Sequence, residues 1–253
     1  MLEKEEYEMQ ARDILIATAI KHKGEWDSIY KDIKNKEYPS EEELAQAEKV
    51  ECVTPFDEEY PDELKQVFKT PLVLFTKGNK ELLNNENKIA LLGIREPDNT
   101  TKTFTEKLMP KLKGKTIITT LNRGTDTKVV ENALKCGNPL IVVMASGIDY
   151  CYPSENKELY EQVAQKGLLI SEYPFNELPQ QERFMASKRI IAGLCEKLCV
   201  LELRQHSGTL MTVNYALSLG KDIYCKSNPI NEEDYCNNLL DEGALPLTLN
   251  TQL

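Results

Sequence analysis

Five short segments of this chain carry the residues best suited to hold an anion. Arg95 follows an apolar run in LLGIR, Arg123 lies in NRGTD, Lys157 ends YPSENK, Lys188 and Arg189 open RIIAGL, and Ser207, Gly208 and Thr209 open SGTLMTVNYAL. Guanidinium and ammonium groups make charge-assisted hydrogen bonds to phosphate oxygens, and a Ser-Gly-Thr entry to a helix leaves N–H groups at the positive end of the helix dipole. Gly93, two residues before Arg95, lets backbone approach such a ligand closely. Taken singly, each residue is also what a solvated loop or an ordinary helix cap contains. Their repeated placement just after apolar runs is what makes them a set, and the set points to a phosphate-bearing ligand.

Such loops need a scaffold that gathers them on one side. The apolar runs IALLG (89–93), TIITTL (116–121), PLIVVMA (139–145), GLLIS (167–171), LCVLEL (198–203) and DIYC (222–225) alternate with helical segments around 100–112, 126–136, 155–166, 185–195 and 209–219. Continuous apolar strands separated by helices form parallel sheets covered on both faces. The expected fold class is therefore α/β, a Rossmann-like, largely parallel sheet with helices on both faces, whose βα loops line a crevice at the carboxyl ends of the strands.

Ahead of the sheet, residues 1–50 read as helical. Trp26, Ile29, Tyr30 and Ile33 repeat at helical spacing as an expected core stripe, and SEEEL starts a helix with Ser40 as its cap and an acidic first turn. From Thr54 the text changes to turn and strand chemistry, TPFDEEYPDEL and then PLVLFTKGN. The expected division is a small helical N-terminal region, 1–53, and a Rossmann-like domain, 54–253.

Several chemistries are disfavoured. IALLG runs into IREPD without the further glycines of a dinucleotide-binding turn, Met109 stands where a P-loop ending at Gly114-Lys115-Thr116 would need its first glycine, and neither H-E-x-x-H nor G-x-S-x-G occurs. With His22 and His206 as the two histidines, and seven cysteines that form no C-x-x-C, neither a metal site nor a disulfide framework is expected. The reading is of a protein without catalytic residues or cofactor. The absence of a long apolar run and the acidic amino terminus MLEKEEYEMQ suggest a cytoplasmic protein with no membrane contact. A net charge of −10 normally opposes polyanion binding. However, residues 1–80 hold 12 Lys and Arg against 19 Asp and Glu, while the rest hold 19 against 22, so the acidity sits mainly in the front.

Beyond the anion-holding residues, the chain contains YPDEL with PLVLFTKGN, LLGIR, RGTD with Ala133-Leu134, SGIDYCYPSENKEL, LLISEYP, Phe184 with RIIAGL, VLELRQHSGTLMT and a late Gly243-Ala244. As a set, from about Thr54 to Ala244, these segments resemble the DprA (Smf) family of DNA-processing proteins. The resemblance implies a single-stranded-DNA-binding domain that protects incoming DNA and helps load a RecA-type recombinase in natural transformation and recombination. It also implies a homodimer, a variable helical region at the front, and no enzymatic activity. Arg95 and Lys157 match the family's DNA-contacting arginine and lysine, and the F-P-x-R-N-R pattern keeps Arg189. The winged-helix module of some members is not expected here. Departures from the pattern fall at Thr119-Thr120, Val129-Val130, Ser187 and Ser227-Asn228. Because these remove parts of the ligand-side wall, the alternative is a Rossmann-like pocket protein that senses or hydrolyses a small nucleotide derivative. A third reading is an interaction module whose acidic front binds a partner.

Overall fold

The structure is a computed structural model and describes residues 2–227 and 233–253, so Asn228 lies outside the described residues. Its centre is a nine-stranded sheet. In chain order the strands are β1 (Cys52–Val53), β2 (Leu74–Gly78), β3 (Lys88–Leu92), β4 (Thr116–Thr119), β5 (Leu140–Val143), β6 (Leu168–Ser171), β7 (Lys197–Val200), β8 (Asp222–Lys226) and β9 (Leu245–Leu247). They lie in the order β1-β2-β6-β5-β4-β3-β7-β8-β9. From β6 across to β9 all pairings are parallel, with Ile89 opposite both Ile117 and Lys197. The β1–β2 and β2–β6 pairings are antiparallel.

Both faces of the sheet are buried, as its unbroken apolar strands require. Along β3, Ile89 and Leu91 point into one core with Phe75 and Ile117, while Ala90 and Leu92 point into the other with Leu74 and Ile118. The first face is covered by α4 (Asn99–Leu108), α5 (Thr125–Cys136) and α6 (Lys157–Lys166), which contribute Leu108, Val129, Val130 and Val163. The second is covered by α7 (Gln181–Leu194), α8 (Thr209–Ser218) and α9 (Cys236–Asp241), through Ile190, Ile191, Val213, Ala216 and Leu239. This is the expected Rossmann-like arrangement.

The front of the chain forms α1 (Leu2–Lys21), α2 (Trp26–Asn35) and α3 (Glu41–Ala47). The capping box at Ser40 is present, with Glu43 reaching back to the Ser40 N–H at 2.7 Å. Leu15, Ile16, Ala17 and Ala19 share the first core with Val73 and Phe75. Arg12 Nε donates to Asp57 at 2.7 Å, and Glu25 accepts from Arg183 of α7 at 3.0 Å. Strand β1 falls on the front side of the expected boundary at 53/54 and pairs with β2 beyond it.

Two local expectations need correction. Of the α2 stripe only Ile29 is buried; Tyr30 and Ile33 are exposed, and Trp26 stacks on Tyr30 with its indole N–H donated to the Thr70 carbonyl at 2.8 Å. Helical spacing thus identified the helix but overestimated the width of its buried face. The helix expected from about residue 185 begins at Gln181, so Lys188 and Arg189 lie within α7 rather than at its entrance. A polar start, QERF, hid its first turn.

Candidate functional site

Chain connectivity creates a crevice at one place on the sheet edge. After β3 the strands β4, β5 and β6 are laid down to one side, whereas β7, β8 and β9 lie on the other. The loops leaving β3 and β7 therefore part company, and ligands collect at such a switch point. Here the parting is a cleft of about 620 Å³. Gly93 and Arg95 come from the β3–α4 loop, Asn122 and Arg123 from the β4–α5 connection, Asp126 from the first turn of α5, Phe184 and Lys188 from α7, and residues 204–209 from the β7–α8 loop and the first residue of α8.

Of the nine residues that the sequence nominates, the cleft gathers Gly93, Arg95, Arg123, Lys188, Ser207, Gly208 and Thr209. Lys157 does not line it. It begins α6 with its side chain 75 % exposed and 4.0 Å from Glu161. Its turn reaches the neighbourhood through Tyr152 and Pro153, which line a small recess with Arg95, Asn122 and Arg123. Arg123 ties the two loops together by pairing with Glu155, its Nη2 lying 2.9 Å from Oε2.

Arg189 is placed differently from expectation, and the reason is charge pairing in the core. It is 4 % exposed, and its Nη1 and Nη2 each donate to Glu172 at 2.6 Å. Its remaining donors go to the carbonyls of Phe68, Lys69 and Ala186. With its donors committed to the interior, Arg189 does not face the cleft.

The glycine and the helix entry also have local duties. A Cβ at Gly93 would come within 2.5 Å of the Thr125 side chain, so glycine is what lets the β3 turn lie against the start of α5. Its N–H donates to Asp126 Oδ1 at 3.2 Å. Thr209 donates its hydroxyl to the Gly93 carbonyl at 3.1 Å, and Ser207 Oγ accepts the Thr209 N–H at 3.1 Å. The Gly208 N–H has no partner among the described residues. Replacing Gly93→Ala should lower unfolding stability by roughly 1–3 kcal/mol, the range for overpacking, as read from a urea melt. An unchanged midpoint would mean that Thr125 simply moves aside.

Sequence reasoning passed over the partner that organises the cleft floor. Asp126, the last residue of NRGTD, is buried and accepts from Gly93, from the Thr120 hydroxyl at 2.5 Å and from Asn122 at 3.5 Å. Burial raises its pKa above the usual carboxylate range, opposed first by the charge of Lys188. Burial pushes the Lys188 ammonium down, Asp126 opposes that, and the like charge of Arg95 adds to it. The signal that could have found Asp126 is its position two residues into a helix directly after a strand, where a carboxylate meets free N–H groups. Arg204 and His206 are not among the nominated anion-holding residues, and Phe184 enters only through the family resemblance, yet all three line the cleft. Phe184 packs edge-on against Tyr152 at 5.8 Å.

Residues 51–253 match the family described as DNA recombination-mediator protein A. The chain belongs to that family. The DNA recombination-mediator protein A match begins immediately before β1 and takes in every residue of the cleft. Among relatives, the chain is 35 % identical over 195 residues to the DNA processing protein DprA of Streptococcus pneumoniae, covering 76 % of this chain and 69 % of that protein. It is 33 % identical over 208 residues to Protein Smf of Synechocystis, covering 79 % of this chain and 52 % of that one. The chain thus spans about half the length of the latter. Among solved structures, DprA from S. pneumoniae superposes with a TM-score of 0.79 at 30 % identity over 88 % of this chain and 78 % of that one. DNA processing protein A from Helicobacter pylori, described for its single-stranded DNA binding mode, gives 0.72 at 26 % identity over 79 % and 93 %. None of the helices among the described residues is long and apolar enough to cross a membrane.

Proposed function

We propose that this chain is a DNA-processing protein that binds single-stranded DNA at the β3/β7 cleft, protecting incoming strands and presenting them to a RecA-type recombinase. The observation that carries this is the gathering of Arg95, Arg123, Lys188 and Arg204 on one cleft of a chain whose net charge is −10. A locally basic groove inside an acidic molecule is the footprint of a polyanion site. Arg95 and Arg204 have no side-chain partner among the described residues, which leaves their donors available for phosphates. The aromatic pair Tyr152 and Phe184 beside them supplies a ring face for a base. Family membership, and the single-stranded DNA named for the H. pylori relative, point the same way. In this reading the protein works as a cytoplasmic homodimer, without covalent chemistry, cofactor or metal.

The strand runs from the cleft past the Tyr152-Pro153 recess toward Lys157, so Arg95→Ala and Lys157→Ala should each weaken binding of a thymine oligonucleotide by about tenfold, one charge-assisted hydrogen bond apiece. Fluorescence anisotropy at two salt concentrations reads this. Each substitution should also flatten the dependence of log affinity on log salt by about 0.7. Parent protein with no affinity at low salt would overturn the DNA reading.

A further inference from the structure

Among the described residues, one buried cation lacks what the others have. Lys88 donates to the Leu83 carbonyl at 2.5 Å, and Lys226 to Thr101 at 3.0 Å. Arg183 donates to the Leu178 carbonyl at 2.8 Å, and Arg189 is saturated by Glu172 and three carbonyls. Lys188 is 8 % exposed, yet it has neither a hydrogen bond nor an ion pair among the described residues. Its charge is balanced by Asp126, whose oxygens take their hydrogen bonds from Gly93, Thr120 and Asn122 instead. An ammonium has three donors and no acceptor, and with no protein acceptor taken by Lys188 these donors remain available to whatever occupies the cleft. Lys188 lines the cleft, so an acceptor can reach it from there.

Lys188 also lies near a second cation, Arg95, and Arg204, Asn122 and Gly208 line the same space. Glu96 and Asp126 line the cleft as well, but with Arg95, Lys188, Arg204 and Arg123 its cations outnumber its carboxylates four to two, an excess complementary to a compact anion rich in oxygen. We propose that the inner end of the cleft is a site for a terminal phosphate monoester, with Lys188 supplying the cation that meets its second negative charge. A phosphodiester within a strand carries a single charge and two free oxygens, and its chain must leave in both directions. A monoester carries about −1.5 to −2 at neutral pH and three free oxygens, and it continues in one direction. Lys188 and Phe184 of α7 line the cleft, and Arg95 lines both it and the recess at Tyr152, which gives the rest of such a ligand one direction to follow.

The proposal goes beyond the DNA-binding reading, which needs only phosphodiesters. The monoester can be the end of a DNA strand or a mononucleotide, and the test separates them. Thymine oligonucleotides labelled at the 3′ end, with either a 5′-phosphate or a 5′-hydroxyl, are compared by anisotropy; thymidine 5′-monophosphate and thymidine are compared by calorimetry without DNA. About a tenfold preference for the 5′-phosphate, the effect of one charge-assisted hydrogen bond, supports the site with a DNA end as its source. Binding of the monophosphate but not of thymidine supports it with a mononucleotide as source. In Lys188→Met the ratio between phosphorylated and hydroxyl ligand should fall to near one, and Lys188→Gln serves if the first variant folds poorly. No phosphate preference in the parent protein, or a preference that survives both substitutions, overturns the proposal. If oligonucleotides still bind in that case, the DNA reading stands; monophosphate binding without oligonucleotide binding would sink the DNA reading and keep this one.

Discussion

Replacing Arg189→Met should destabilise the protein by about 3–5 kcal/mol, because it strands the Glu172 carboxylate in the core without its partner. Glu172 is 6 % exposed, burial already raises its pKa, and Arg189 is the charge that opposes this. The same substitution leaves the Phe68 and Lys69 carbonyls without their donor, at a segment where Lys69 holds a positive φ of 51°. A non-glycine residue in the left-handed region persists only where its surroundings enforce it. Urea unfolding followed by circular dichroism measures the loss. Adding Glu172→Leu should recover part of it, since a buried ion pair replaced by apolar side chains is often close to neutral, while the uncapped carbonyls remain. The salt dependence of oligonucleotide binding should match the parent's, because Arg189 meets no ligand. A stable variant with a flattened salt slope would return Arg189 to the site.

How much of this was legible in the sequence follows from what each residue's neighbours are. The parallel strands were readable because burial on both faces demands unbroken apolar runs, and IALLG, PLIVVMA and LCVLEL supply them. Strands β1 and β9 were not, because Cys52–Val53 and Leu245–Leu247 are too short to show any period, and β9 contains Pro246. In the site, loop residues after strands were readable because topology alone carries them to one edge. Arg95, Ser207 and Gly208 needed nothing more. Lys188 and Arg189 are adjacent and chemically alike, yet successive helix positions point about 100° apart. One therefore meets the cleft beside Asp126 and the other meets Glu172. Nothing in the text KR distinguishes them; the partners do, and they are residues far away in sequence. The same holds for Asp126, whose importance is set by the Gly93 N–H, Thr120 and Lys188 converging on it.

The double substitution Arg95→Ala with Arg204→Ala should weaken single-stranded-DNA binding by about a hundredfold or more. These two guanidiniums enter the cleft from opposite sides of the switch point, one on the loop after β3 and the other on the loop after β7. Neither has a side-chain partner among the described residues, so neither carries a structural duty that its removal would break. A charge-assisted hydrogen bond contributes about 1.5–3 kcal/mol, and two of them separated across a cleft should add, which converts to at least two decades in affinity. Because two phosphates would then go without a cationic partner, the slope of log affinity against log salt should flatten by about 1.4. Anisotropy titrations of a thymine oligonucleotide at several salt concentrations give both quantities from one data set, and an unchanged melting temperature shows that the fold is intact. The comparison with Lys128→Ala is informative: that lysine pairs with Glu131 on α5 and lines no part of the cleft, so it should alter neither affinity nor slope. If the double variant bound as the parent does while Lys128→Ala weakened binding, the strand would lie along α5, and the β3/β7 cleft would not be its site.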